Sequence, residues 1–276
     1  MIHIIQAILL GIVEGLTEFL PISSTGHLIV AEHAIGYKDT AELFTVVVQI
    51  GAIAAVAWYY RIDLLNRITS LFKGSAKAKK FWINLVIASI PAGLVGLALD
   101  KTMQKYALPT TVAASLIVGG FILLWAEFRF KAQKHHDAKL KLDSITPKQA
   151  FGVGMAQVVA LIPGVSRSGA TIVGGMFVGL NRITAATFSF YMSLPILGLA
   201  SLYKLYKNRH DIGNLPGGGV GLILGTAAAF VSALLVVSWL LKYISRHDFK
   251  PFAYYRIVFG VILLLLVGFG ILSNSL

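Results

Sequence analysis

The residues Glu14-Gly-Leu-Thr-Glu-Phe-Leu-Pro-Ile-Ser-Ser-Thr-Gly-His27 put two carboxylates, several hydroxyls and an imidazole in the middle of an otherwise apolar stretch. Glu14 and Glu18 are four apart, so in a helix they share one face. Two neighbouring carboxylates out of water repel each other, and one of them resists ionisation. A divalent cation relieves that conflict, and hard carboxylate oxygens suit Mg2+ or Ca2+. The plainer reading is that the pair bonds nearby hydroxyls, but acids at membrane depth are functional candidates by default. Pro21 to His27 breaks the helix and restarts it, and the new helix offers its positive end to an anion. A second stretch, Pro163-Gly-Val-Ser-Arg-Ser-Gly-Ala-Thr171, repeats the break and adds Arg167. Its planar fork of donors matches phosphate oxygens or a carboxylate, so its partner is Glu14, Glu18 or a bound phosphate. Together these groups make a metal-assisted phosphate or diphosphate site. His27, three residues after Ser24, has the chemistry of a base, an acid or a nucleophile. Gln49 and Gln157 are lesser polar candidates.

The elements that must position these groups are membrane helices. Of 276 residues, 57% are hydrophobic and only 13% charged, about half the charge of a soluble domain. The apolar runs are continuous, not alternating, which favours helices over a barrel. With no cysteine, disulfides and thiolate metal sites are excluded. The N-terminus lacks a basic region and a cleavage site, so it is expected to stay in place. A span needs roughly 20 apolar residues, which predicts six: 41–60, 82–99, 110–130, 184–206, 218–241 and 252–273. Segments 2–36 and 149–180 read as helix–loop–helix hairpins that enter the membrane and return. The net charge of +12 falls mostly in the loops 61–80 and 129–148, which marks the cytoplasmic side and gives no reason to invoke nucleic acid. Both termini then face outward. Lys77 to Lys80 suit anionic lipid.

An offset of 143 aligns Gln6-Ala7 with Gln149-Ala150, Gly11 with Gly154, Ser23 with Ser166 and Gly26 with Gly169. One membrane domain of 1–276 is expected: a first repeat 1–130, a basic cytoplasmic loop 131–148, and a second repeat 149–276. Each repeat holds a hairpin and three spans, so the second is inverted. Interrupted segments at matching positions point to a midplane site where the repeats meet.

The two loop motifs in this order, across nearly the whole chain, resemble the undecaprenyl-diphosphate phosphatase family of bacitracin-resistance membrane proteins. The resemblance implies an all-α, inverted-repeat membrane fold and hydrolysis of undecaprenyl diphosphate to undecaprenyl phosphate and phosphate, which recycles a carrier for cell-wall synthesis. It implies a divalent cation on Glu14 and Glu18, and Ser24, His27 and Arg167 at the reacting phosphate. Ser23, Thr25, Ser166, Ser168, Gly169 and Thr171 are then expected to hold phosphate oxygens, and Glu18 to share in catalysis. The site is expected to open to the outer face of the bacterial plasma membrane. The mechanism expected is attack by Ser24 with His27 shuttling the proton; attack by His27 or by water stays open. A homodimer is possible on this reading. The rival is a lipid-phosphate flippase using the same anion site without hydrolysis. A purely structural membrane protein fits less well, because buried Glu, Arg and His are costly.

Overall fold

The computed structural model describes residues 1–39, 43–130 and 141–274, with the backbone alone at 100, 101, 103 and 104. Every regular element among them is helical. In chain order they are α1 (Ile2–Thr17), α2 (Ser24–Ile35), α3 (Leu43–Tyr59), α4 (Arg61–Phe72), α5 (Ala76–Lys105), α6 (Pro109–Arg129), α7 (Pro147–Val159), α8 (Arg167–Phe177), α9 (Arg182–Lys207), α10 (Gly218–Ile244) and α11 (Lys250–Gly268).

Among the described residues, five helices are long and apolar enough to cross a membrane: α5, α6, α9, α10 and α11. The sixth expected span, α3, has 17 residues and reaches the required length only together with α4, which bends away from it by 72°. Outer faces carry side chains such as Leu97, 82% exposed, and Phe128, 76% exposed. In water such a surface would be an aggregation liability; against acyl chains it is solvated. This is an all-α, multi-pass membrane protein.

Two sequence expectations change in detail. Residues 61–80, read as a loop, contain α4 and the start of α5. Helix α4 has apolar residues at helical spacing (Ile62, Leu65, Ile68) among Arg61, Asn66, Arg67 and Thr69, so its average hydropathy hides it. Asp63 anchors it, accepting hydrogen bonds from Arg67 Nε at 2.7 Å and from the Tyr191 hydroxyl on α9. The span read as 82–99 belongs to a 30-residue helix. Most of the basic loop 131–148 lies outside the described residues; its end winds into a short 3-10 turn, Leu142–Ser144, before α7.

Both expected hairpins form. The buried residues of α1, namely Ala7, Leu10, Gly11, Glu14 and Gly15, recur every three or four positions and make one packed face. Gly11 and Gly15 bring that face against α10 so closely that a Cβ at Gly11 would lie 2.1 Å from the Gly225 carbonyl oxygen. On α7, Gly154 approaches α5 in the same way, a Cβ there meeting the Ala88 carbonyl at 2.5 Å. Small residues let backbones touch in lipid, where no hydrophobic effect drives helices together. Helix α1 packs on α10 and α7 on α5, while α3 pairs with α9 and α6 with α11. Exchanging the two halves maps this set of pairings onto itself. The hairpin ends, residues 18–23 and 160–166, meet between α3, α6, α9 and α11.

Candidate active site

Pro21 ends the first hairpin helix by removing a backbone donor and restricting the preceding residue. Helix α2 begins two residues after Ile22, with Ser23 as its N-cap. In the second hairpin Pro163 and Gly164 make the turn, and Ser166 caps α8. Ser23 (φ 69°) and Ser166 (φ 71°) are the two non-glycine residues with positive φ among the described residues. Such a conformation costs of order 1–3 kcal/mol each and persists only where the surroundings enforce it. The sequence alignment pairs these same two serines. Their caps differ: Ser166 Oγ accepts from Gly169 N at 3.1 Å, whereas the Ser23 side chain caps nothing. The first turn of α2 therefore keeps backbone donors for another acceptor.

The two loops meet at Glu18. Its Oε1 accepts from Arg167 Nη2 at 3.0 Å, and its Oε2 accepts from Ser24 Oγ at 2.6 Å. Both side chains of the ion pair are buried, 9% and 6% exposed, so water screens them little. Arg167 is fixed from its far side by Ser189 on α9, donating from Nη1 to the Ser189 carbonyl at 3.0 Å. Its guanidinium also lies 5.5 Å from the Phe19 ring. Its Nε is buried without a partner. One donor of the guanidinium is thus without an acceptor at this junction, and a buried donor of that kind suits a phosphate oxygen.

Glu14, one turn earlier, is 1% exposed. Neither of its carboxylate oxygens meets hydrogen-bond geometry, although Glu18 and Gln49 stand close beside it. Burying an unpaired carboxylate is expensive, so this position suits either a proton or a cation. The residues present fit a divalent metal: Glu14 offers two free oxygens, with Glu18 and the Ser24 hydroxyl adjacent. No group of three His, Asp or Glu forms among the described residues. A cation here would therefore have at most the two carboxylates as charged protein ligands, and water or substrate oxygens would complete its shell.

His27 stands apart from this junction. Its Nδ1 is 2.7 Å from the Ser23 carbonyl, which only accepts, so Nδ1 carries the proton. Its Nε2 then accepts from the Tyr255 hydroxyl at 2.7 Å. The ring stacks on Phe259 with centroids 4.4 Å apart. The expected contact between His27 and the Ser24 hydroxyl is therefore replaced by Glu18 on Ser24 and by Tyr255 on His27. Thr25 is exposed beside them.

The remaining expected phosphate ligands divide. Ser168 Oγ donates to the Leu20 carbonyl at 2.8 Å and lies 3.0 Å from Ser166 Oγ. Thr171 Oγ1 donates to the Arg167 carbonyl at 2.8 Å and pairs with Ser189 Oγ at 2.6 Å. These buried hydroxyls stitch the loops to each other and to α9. Gly169 belongs to the first turn of α8, its N–H taken by Ser166. Three participants escaped the sequence reading: Ser189, Tyr255 and Arg256. Arg256 carried a signal, a lone arginine in a predicted span; a serine in α9 and an interfacial tyrosine carry none.

A family model of the bacitracin resistance protein BacA matches residues 7–262. The chain belongs to that family. It is similar to the undecaprenyl-diphosphatase of Nitrosomonas europaea, 47% identical over 99% of this chain and 97% of that protein. The undecaprenyl-diphosphatase of Nitrosospira multiformis is also 47% identical, over 99% of this chain and 98% of that protein. Undecaprenyl-diphosphatase 1 of Burkholderia lata is 48% identical over 98% and 97%. The matched region spans both loops, Glu14, Glu18 and the α11 residues Tyr255 and Arg256.

Proposed function

We propose that this BacA-family protein hydrolyses undecaprenyl diphosphate to undecaprenyl phosphate and inorganic phosphate, recycling the carrier lipid for cell-wall synthesis. The observation that carries the reading is the Glu18 junction: one carboxylate holds a serine hydroxyl at 2.6 Å and an arginine fork at 3.0 Å, joining two helix-starting loops within a membrane protein. Binding a lipid phosphate needs donors; it does not need an acid aligned on a serine O–H.

Ser24 Oγ attacks the terminal phosphorus and Glu18 takes its proton. The new Oγ–P bond forms as the bond to the bridging oxygen breaks, and undecaprenyl phosphate leaves. Arg167 holds the equatorial oxygens of the phosphoryl group in flight. The first-turn N–H groups of α2 hold further oxygens. In the second half, His27 Nε2 takes a proton from water as it attacks the phosphoserine. The protonated Glu18 returns its proton to Ser24 Oγ. The products are inorganic phosphate and a proton passed outward past exposed Tyr255. A divalent cation held by Glu14 and Glu18 would neutralise charge on the diphosphate and its leaving oxygen. We place the chain in the bacterial plasma membrane, basic loops inside, both termini and the opening of the α1–α2 hairpin outside.

The deciding measurement is phosphate release from the C55 diphosphate by purified protein in detergent. The wild type releases phosphate, and Ser24→Ala, folded, releases little. Retention of more than about a tenth of the rate, under 1.4 kcal/mol of barrier, removes serine attack. A protein that only carries lipid phosphate across the membrane releases none.

A further inference from the structure

Arg256 is one of the largest fully buried side chains, 2% exposed, and no carboxylate pairs with it among the described residues. Instead it donates to five backbone carbonyls. Nη1 reaches Pro21 O at 3.2 Å. Nη2 reaches Val165 O at 2.9 Å, Ser115 O at 3.2 Å and Gly164 O at 3.5 Å. Nε reaches Leu116 O at 3.4 Å. Three segments therefore converge on one guanidinium: the first loop, the second loop and α6. Two glycines make room for it. A Cβ at Gly119 would come within 2.1 Å of Nη2, and one at Gly169 within 2.8 Å of Nη1.

The location of these acceptors matters more than their number. Pro21 lies two residues before Ser23, and Val165 immediately precedes Ser166. Those serines are the two left-handed non-glycine residues, the positions that need outside support to persist. A planar fork can serve carbonyls from two sides at once, which a lysine ammonium on a flexible stem does not. Each of the three Arg256 nitrogens is committed to a backbone carbonyl, whereas Arg167 keeps its Nε without a partner.

We propose that Arg256 is a positioning residue: it clasps the two loops together and thereby fixes Ser24 and Glu18, on one loop, against Arg167 on the other. The proposal rests on the hydrolase reading for its kinetic consequence, but its structural consequence stands by itself.

The test compares wild type with Arg256→Lys, which keeps the charge and loses the fork. Two readouts run in parallel: amide hydrogen exchange of peptides covering 18–26 and 160–170, and steady-state kinetics on the C55 diphosphate. Exchange is expected to rise in both loops together. The turnover number is expected to fall by about 100-fold, the scale of a small misplacement of reacting groups, with KM little changed. Unchanged exchange, or a rise in one loop alone, overturns the clasp whatever the activity. Wild-type turnover in a folded variant overturns it as well. Gly119→Ala is the second arm, deciding the matter if Arg256→Lys does not fold. It keeps the arginine and drives a methyl into its guanidinium, since the three atoms nearest that methyl all belong to Arg256. It must loosen both loops in the same way. If wild type releases no phosphate at all, the hydrolase reading fails while the exchange data still decide the clasp.

Discussion

Replacing His27 by glutamine should trap the enzyme as a phosphoserine. The expectation follows from which acid or base each hydroxyl faces. Ser24 Oγ donates to Glu18 Oε2 at 2.6 Å, so the first displacement has its base without His27. His27 has Nδ1 tied to the Ser23 carbonyl and Nε2 to Tyr255, each at 2.7 Å, on the side where Thr25 is exposed. Its Nε2 lone pair, held by the Tyr255 hydroxyl at rest, becomes the base for the attacking water on this reading once the hydroxyl turns away. Loss of a positioned base slows a step by about 10^2 to 10^4, or about 2.7–5.5 kcal/mol at 1.36 kcal/mol per decade. If the two steps have comparable rates in the wild type, about half the enzyme carries phosphate at steady state. A slowing of the second step by about 100-fold or more raises that share to about 99%. The assay is acid quenching during turnover, followed by mass spectrometry of the peptide containing Ser24. Parallel product analysis should show a burst of undecaprenyl phosphate equal to the enzyme, with inorganic phosphate lagging. Glu18→Gln, run alongside, should show neither burst nor phosphoserine. A folded His27→Gln variant that has lost turnover yet carries no phosphate on Ser24 refutes the division of labour, and phosphate found on His27 in the wild type refutes serine attack altogether.

Two further outcomes are expected. Chelation should stop phosphate release and Mg2+ or Ca2+ restore it, while Glu14→Gln should need more than about tenfold more cation, the scale at which even outer-sphere changes act on metal sites; metal titration of activity and of direct ion binding checks this, and an unchanged requirement removes Glu14 as a ligand. Gly15→Leu should lower thermal stability by at least the 1–3 kcal/mol of an overpacked core, because a Cβ there meets Ser232 Oγ at 2.1 Å and the Ala229 carbonyl at 2.4 Å; a melting curve that does not move would mean α1 is not held on α10 as described.

The hairpins and the meeting of the acid pair with Arg167 were legible because they break rules a lipid-facing helix must keep. Proline, glycine and clustered hydroxyls interrupt an apolar run, and an arginine at depth demands an anion. Chemistry named the partners and the alignment of the halves brought them together. What stayed hidden depends on geometry across helices distant in sequence. Glu18 and His27 lie six and three residues from Ser24, and spacing alone does not say which of them faces its hydroxyl; the left-handed turn at Ser23 decides it. Ser168 and Thr171 look like phosphate ligands by type, yet backbone carbonyls within reach take their protons. Arg256 carried a signal as a lone arginine in a predicted span, but near a span's end an arginine also reaches headgroups, so the sequence does not say which carbonyls it meets. Helix α4 escaped because its polar and apolar residues cancel on average, and only their spacing reveals a face.

The buried charges show why two arginines and two acids belong together here. Glu14, Glu18, Arg167 and Arg256 sum formally to zero, so the resting site has no large self-repulsion despite holding four ionisable groups away from water. Charges of one sign alone would be prohibitive at that depth. The distribution is uneven, however. Arg256 is held by carbonyls, and Arg167 by Glu18 and Ser189 with its Nε unpaired, which leaves Glu14 as the acid of the pair whose oxygens make no hydrogen bond. A multiply charged diphosphate entering alone would face that carboxylate beside Arg167 and be repelled by it. A dication entering alone would find Glu14 free but Glu18 already engaged by Arg167 and Ser24. On the proposed mechanism, a dication held by Glu14 would offset the charge of the diphosphate, and Glu18 would be free to give up its arginine to the phosphate while still accepting from the serine hydroxyl. The exchange that would admit the substrate would thus also prepare the proposed nucleophile, since a carboxylate relieved of its guanidinium is a stronger base toward the hydroxyl it still holds.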